Sequence, residues 1–209
     1  MSNPLFEQHT LPPFSRIEPE HVDPAIRQLI ERNKQRIDEL LDSTDHYNWD
    51  NLLQPIEELE DELSHAWSPV SHLNSVCNSD ALREAYNACL PLLSEYGTWM
   101  GQHQRLFQAY SKIAEGEQAQ HLDAAQLKAL NNALRDFRLA GVALPEDQKR
   151  RYGELKKRLS ELGSKFGENV LDATNAWSRQ VTEEELAGLL TQPWRAPNKP
   201  PNKRVLKAI

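Results

Sequence analysis

The chain contains no H-E-x-x-H, no G-x-x-x-x-G-K-[ST], no G-x-G-x-x-G and no G-x-S-x-G. The short motifs that mark a zinc-hydrolase helix, a phosphate loop, a dinucleotide site or a serine nucleophile elbow are therefore missing. Its seven histidines, His9, His21, His46, His65, His72, His103 and His121, are never four apart, and none is followed directly by Glu. Two cysteines, Cys77 and Cys89, form no C-x-x-C, so free thiols are expected, with Cys89 packed as a small apolar side chain. No apolar run approaches the roughly 20 residues that cross a bilayer. The N-terminus MSNPLFEQHTLPPF lacks a basic segment followed by an apolar one, so no membrane association and a cytoplasmic location are expected. A net charge of −7 argues against nucleic acid as a partner. Strand-like alternation is absent too, which leaves an all-α reading.

What is present is helical periodicity over a chain of 209 residues, long enough to bury about 70% of its unfolded surface. Residues 1–18 carry Pro4, Pro12 and Pro13 among Leu5, Phe6, Leu11, Phe14 and Ile17, which predicts an extended arm lying on an apolar surface. Asp23-Pro24 reads as an N-cap followed by proline at N1, opening a helix to about Asp42 through Ile26, Leu29, Ile30, Ile37, Leu40 and Leu41. A second helix from Asp50 uses Leu52, Leu53, Ile56, Leu59, Leu63 and Trp67, and Ser68-Pro69 is expected to break or kink it. Ser79 and Asp80 cap a third, in which Pro91 predicts a kink near Asn87, and the pattern continues through Trp99, Leu106, Phe107, Tyr110 and Ile113 to Gly116. Asp123 caps another with Leu127, Leu130, Leu134 and Phe137, and Gly141 sits at the left-handed C-cap position.

The longest element runs from Pro145 to about residue 178. Pro145 suits the first helical position, and Glu146 with Asp147 suits the positive end of the helix dipole. Tyr152, Leu155, Leu159, Leu162, Phe166, Val170 and Trp177 form its apolar stripe, which predicts a core helix of a bundle or array. Gly153, Gly163 and Gly167, each costing about 1 kcal/mol against Ala in a helix, predict close crossings with neighbouring helices.

The stretch Lys156 to Thr174, ending S-x-F-x-E-N-V-L-D-A-T, is similar to the N-terminal region of the thimet oligopeptidase family of zinc metallopeptidases. Three upstream stretches resemble the same region in the same order: SPVSHLNSV from Ser68, LREAYNACLPLLSEYGTWMGQH from Leu82 and NNALRDFRLAGVALP from Asn131. The resemblance implies a helical wall of a channel that admits short peptides, with short peptides and a catalytic domain of the same family as partners. It also implies zinc held elsewhere by H-E-x-x-H. With that motif missing, no catalytic and no metal-binding residue carries over, no cofactor is expected in this chain, the substrate-binding residues are unknown, and no activity is expected from it alone.

From Leu189 to Ile209 there are five basic residues, no acidic one, and four prolines within nine positions, against 19 basic and 31 acidic residues upstream. That shift predicts a helical domain over 1–188 and a disordered basic, proline-rich tail over 189–209. The resemblance also stops after Gly188, which points to a frameshift or truncation. Two further readings stand beside the channel wall: a stand-alone peptide- or protein-binding helical module, and the non-functional product of a disrupted gene. His65 and His72, near Trp67, are the nearest approach to a metal pair, though Pro69 between them spoils a two-turn register. The run Glu57, Glu58, Glu60, Asp61, Glu62 reads as a solvated helix face.

Overall fold

A computed structural model describes residues 3–7, 10–182 and 204–207, and the chain divides into two compact units, Met1–Glu161 and Leu162–Ile209. Six long helices follow in order: α1 Pro19–Ser43, α2 Gln54–Val76, α3 Asp80–Gly101, α4 Gln104–Glu115, α5 Ala124–Leu139 and α6 Glu146–Ala176. The all-α reading holds. The described residues add two short strands, β1 Ser178–Val181 and β2 Arg204–Lys207, paired antiparallel with Ser178 opposite Lys207. Except for β2, the tail expected over 189–209 and the boundary at Gly188 lie outside the described residues.

Two apolar centres organise the first unit, and α1 and α2 contribute to both. Ile37, Leu40 and Leu41 from the end of α1 meet Leu52 and Leu53 of the short helical turn Trp49–Leu53, Ile56 at the start of α2, Leu106, Tyr110 and Ile113 of α4, and Leu130, Leu134 and Phe137 of α5. Val22, Ile26, Leu29 and Ile30 of α1 instead meet Leu63, Ala66 and Val70 of α2 and Leu82, Cys89 and Tyr96 of α3. Leu5 and Ile17 of the N-terminal arm join the second centre, so the arm lies on an apolar surface as its anchors predicted.

Local signals set most boundaries. Ser79 Oγ accepts the Leu82 N–H at 3.2 Å, Asp123 forms a reciprocal capping box with Gln126, and Gly141 adopts φ +83°. The prolines behave otherwise. α1 starts at Pro19 rather than Pro24, because Glu18 and His21 build a capping box one turn earlier, with the Glu18 N–H donating to His21 Nδ1 at 3.0 Å. Pro24 then falls inside the helix. Likewise α2 does not end at Ser68-Pro69: Pro69 is buried within it, and Val70–Val76 are its last turns. α3 runs on through Pro91. Each internal proline forfeits one backbone hydrogen bond; the Pro69 ring is itself buried, whereas Pro24 is exposed and precedes the buried pair Ala25 and Ile26, and Pro91 is half-buried.

α3 and α4 are separate helices, whereas periodicity alone ran them together. His103 ends the continuity by capping α4, its Nδ1 accepting the Leu106 N–H at 3.2 Å. The largest departure is α6. None of its residues is buried, and Leu155, Leu159, Leu162, Phe166, Val170 and Trp177 are all exposed. A core helix of a bundle is therefore not what the described residues contain. Of its glycines, a methyl at Gly153 would touch Thr98 Cγ2 at 3.5 Å, but at Gly163 and Gly167 it would meet nothing within 4 Å. The expected close crossing exists at Gly153 alone among these three.

Candidate functional site

Within the first unit the helices leave a groove of about 780 Å³, in the range of ligand sites generally. Its walls are Ile56, Glu57, Glu60 and Trp67 of α2; Leu90, Leu93, Ser94, Gly97, Thr98, Met100 and Gly101 of α3; Tyr110 of α4; Ala133, Asp136 and Phe137 of α5, with Ala140 just after it; and Tyr152, Lys156, Leu159 and Ser160 of α6. The α3 wall mixes the large side chains of Leu90, Leu93 and Met100 with the small ones of Ser94, Gly97, Thr98 and Gly101. A methyl at Gly101 would sit 2.5 Å from Ala140 Cβ, so only glycine allows the close approach there.

A buried polar set backs the groove. The Tyr96 hydroxyl donates to Glu60 Oε1, and Asn33, fully buried on α1, donates from Nδ2 to the Leu59 carbonyl at 3.0 Å and to Tyr96 Oη at 3.5 Å. Among the described residues Asn33 Oδ1 has no hydrogen-bond partner. Burial is the main cause that raises the Glu60 carboxyl above the usual range; the charge of Glu57 adds to this, and the Tyr96 hydrogen bond works against it. Burial also pushes the Tyr96 and Tyr110 phenols up, and it raises the Cys89 thiol to about 11. None of these groups is an activated nucleophile at neutral pH. What the set offers is a half-buried carboxyl and a polar patch on an otherwise apolar wall.

Sequence reading placed Glu60 on a solvated face, and the structure corrects this. Glu60 lies four residues after Ile56 and three before Leu63, both buried, so the same i, i+3, i+4 rule that marked those residues turns it inward. That spacing was the signal available. Glu57, Glu58 and Asp61 are exposed, as expected of the run, and Glu62 forms an ion pair with Arg32.

The histidines do not converge. His65 Nδ1 sits 3.1 Å from Asp61 Oδ2, and the His72 ring packs against Phe14 with centroids 5.4 Å apart. Among the described residues no group of three or more His, Cys, Asp and Glu side chains could hold a metal ion. The donor set therefore does not fit a zinc site, and no step through a metal is derived for this chain. His103, like His21, caps a helix. Its Nδ1 must keep a lone pair to cap α4, its Nε2 lies 3.7 Å from Asp38 Oδ1, and Trp99 packs edge-on at 4.8 Å. Burial holds it below its usual value, although Asp38 pulls the other way. The folded chain then binds fewer protons here than the unfolded one, so this contribution is present above the ordinary value of about 6.5 and is lost as pH falls towards the folded value. His103→Asn, which keeps an N-cap but cannot titrate, should flatten the fall of melting temperature on acidification through that window. An unchanged pH profile would contradict the assignment.

The described residues include no helix long and apolar enough to cross a membrane. Comparison with known proteins adds the context of this architecture. Residues 26–149 match the family model for the neurolysin/thimet oligopeptidase N-terminal domain. The chain is 50% identical to oligopeptidase A of Escherichia coli and 52% identical to that of Haemophilus influenzae, over 190 residues in each case. Each alignment covers 90% of this chain and 28% of the relative. A probable cytosolic oligopeptidase A of Arabidopsis thaliana is 30% identical over 189 residues, covering 90% of this chain and 27% of that protein. The chain thus spans little more than a quarter of the length of these relatives.

Proposed function

We propose, since the chain belongs to the family of neurolysin and thimet oligopeptidase N-terminal domains, that it serves as a helical wall of a channel that handles short peptides. Hydrolysis would be supplied by a zinc-bearing catalytic part that this chain does not contain. The carrying observation is the stripe on α6: Leu155, Leu159, Leu162, Phe166 and Val170 recur at helical spacing, yet Leu159 is 66% and Phe166 70% exposed. So continuous an apolar face is the signature of a surface built to be covered. A cytoplasmic location, and the division into a helical domain over 1–188 and a basic tail over 189–209, belong to the same proposal.

The groove favours a second reading, a stand-alone helical module that binds peptides without cleaving them. One experiment separates the two. The chain alone, supplied with zinc, should not turn over a fluorogenic oligopeptide above a mock preparation, because metal-assisted hydrolysis needs convergent protein ligands and a positioned base. Mixed with a fragment carrying the remaining residues of the Escherichia coli relative, it should restore chelator-sensitive turnover, and Leu159→Asp with Phe166→Asp should prevent that rescue. Chelator-sensitive turnover by the chain alone would overturn the assignment of catalysis elsewhere. Failure of rescue by a folded fragment would favour the binding module.

A further inference from the structure

The groove carries acidic side chains that no described cation pairs. Glu57 and Glu60, three apart on α2, both line it, and among the described residues no Lys or Arg forms an ion pair with either. Asp136 on another wall is already held by Arg135 at 2.8 Å, and Lys156 is the one cation among the lining residues. Around these carboxylates stand Trp67, Leu93, Met100 and Phe137. Of the two, Glu57 is exposed and Glu60 half-buried; a carboxylate half removed from water without a cation, as Glu60 is, is costly, and the cost is relieved by a ligand that brings the cation with it.

Gly97 supplies an independent observation. It sits inside α3, where glycine weakens a helix relative to alanine. A side chain there would meet nothing within 4 Å, in contrast to Gly101, whose added methyl would strike Ala140. Packing within the chain thus accounts for Gly101 and not for Gly97. Gly97 lines the groove, so a side chain there would take up space in it.

We propose that this groove binds a peptide segment that lays apolar side chains against Trp67, Leu93, Met100 and Phe137 and sets a lysine or arginine side chain against Glu57 and Glu60. The inference rests on the peptide-handling reading above and names the chemistry of the segment handled. Tyr96 keeps Glu60 oriented by donating to one carboxylate oxygen, which leaves the other for the incoming cation.

The test uses the intact 209-residue chain and three capped pentapeptides, acetyl-Leu-Phe-Lys-Leu-Ala-amide and its analogues with norleucine or Glu in place of Lys, titrated by amide chemical shift. The lysine peptide should saturate with shifts centred on the amides around Glu60 and Gly97, and the norleucine peptide should bind about tenfold more weakly. The glutamate peptide should be weaker still. Gly97→Phe should abolish binding with helicity and melting temperature retained. The double variant Glu57→Gln with Glu60→Gln should erase the lysine preference and leave norleucine binding unchanged, which keeps the idea testable if the phenylalanine variant misfolds. Equal affinity for the three peptides, absence of saturable shifts at millimolar peptide, or full binding by folded Gly97→Phe would overturn it. A lost lysine preference alongside successful rescue of peptidase activity would leave the channel-wall reading standing. The reverse pair of results would sink that reading and keep this one.

Discussion

Leu106→Ala is expected to lower the unfolding free energy by about 3 kcal/mol, within the 2–5 range for buried leucines. Leu106 is fully buried at the start of α4, among Ile113, Leu130, Leu134 and Phe137. Truncation there removes the transfer energy of the lost atoms and leaves a cavity bounded by helices that cannot all collapse into it. Leu159→Ala on α6 offers the comparison. Periodicity marks both leucines equally as core, yet Leu159 is 66% exposed, and a surface change of this kind alters stability by only about 0.5 kcal/mol. Urea unfolding of both variants at one pH, with m-values checked for constancy, measures the difference directly. Comparable losses would mean that the α6 stripe is core of this chain after all. The expected asymmetry would mean that it is an interface.

That asymmetry marks where sequence reading succeeds and where it stops. Caps are local: Ser79, Asp123 and Gly141 act on residues within one turn of themselves, so their types and spacings sufficed to place three helix ends. Prolines are local in cost but not in compensation. Pro69 forfeits one backbone bond wherever it sits, and only burial within the second apolar centre explains why α2 continues through it. Periodicity has a related limit, since it identifies the apolar face of α6 without saying what covers it. The polar set behind the groove was half legible. The spacing of Glu60 from Ile56 and Leu63 turns it inward, but its partner Tyr96 lies 36 positions away and Asn33, which donates to Tyr96, lies 63 positions from that tyrosine, separations that no local pattern joins. The absence of H-E-x-x-H, by contrast, was fully legible, because zinc ligands of that kind share one helix face.

Asn33→Asp should be the most damaging single polar change, costing about 3–5 kcal/mol at neutral pH. Asn33 is fully buried, and its Nδ2 donates to the Leu59 carbonyl. The carboxylate would replace that donor with a negative oxygen facing a carbonyl, on the far side of Tyr96 from Glu60. Burial and like charge both raise the folded-state pKa of such a group above its unfolded value of about 3.9. The folded variant then binds more protons than the unfolded one, so its stability relative to the parent falls as pH rises from the unfolded value through the folded one, and recovers on acidification. The recovery should stop short of parity, because the protonated acid has a single O–H to donate where the amide donates to both the Leu59 carbonyl and Tyr96 Oη, a loss of about 1–2 kcal/mol. Asn33→Leu isolates that residual loss, since it removes the donor without adding a charge, and its deficit should not vary with pH. Combining Asn33→Asp with Glu60→Gln should return part of the neutral-pH deficit, because removing one of two neighbouring charges relieves the other. Denaturation of the four proteins across the pH range in which the parent stays folded reads out every term, and a deficit in Asn33→Asp that does not change with pH would show that position 33 is in contact with water.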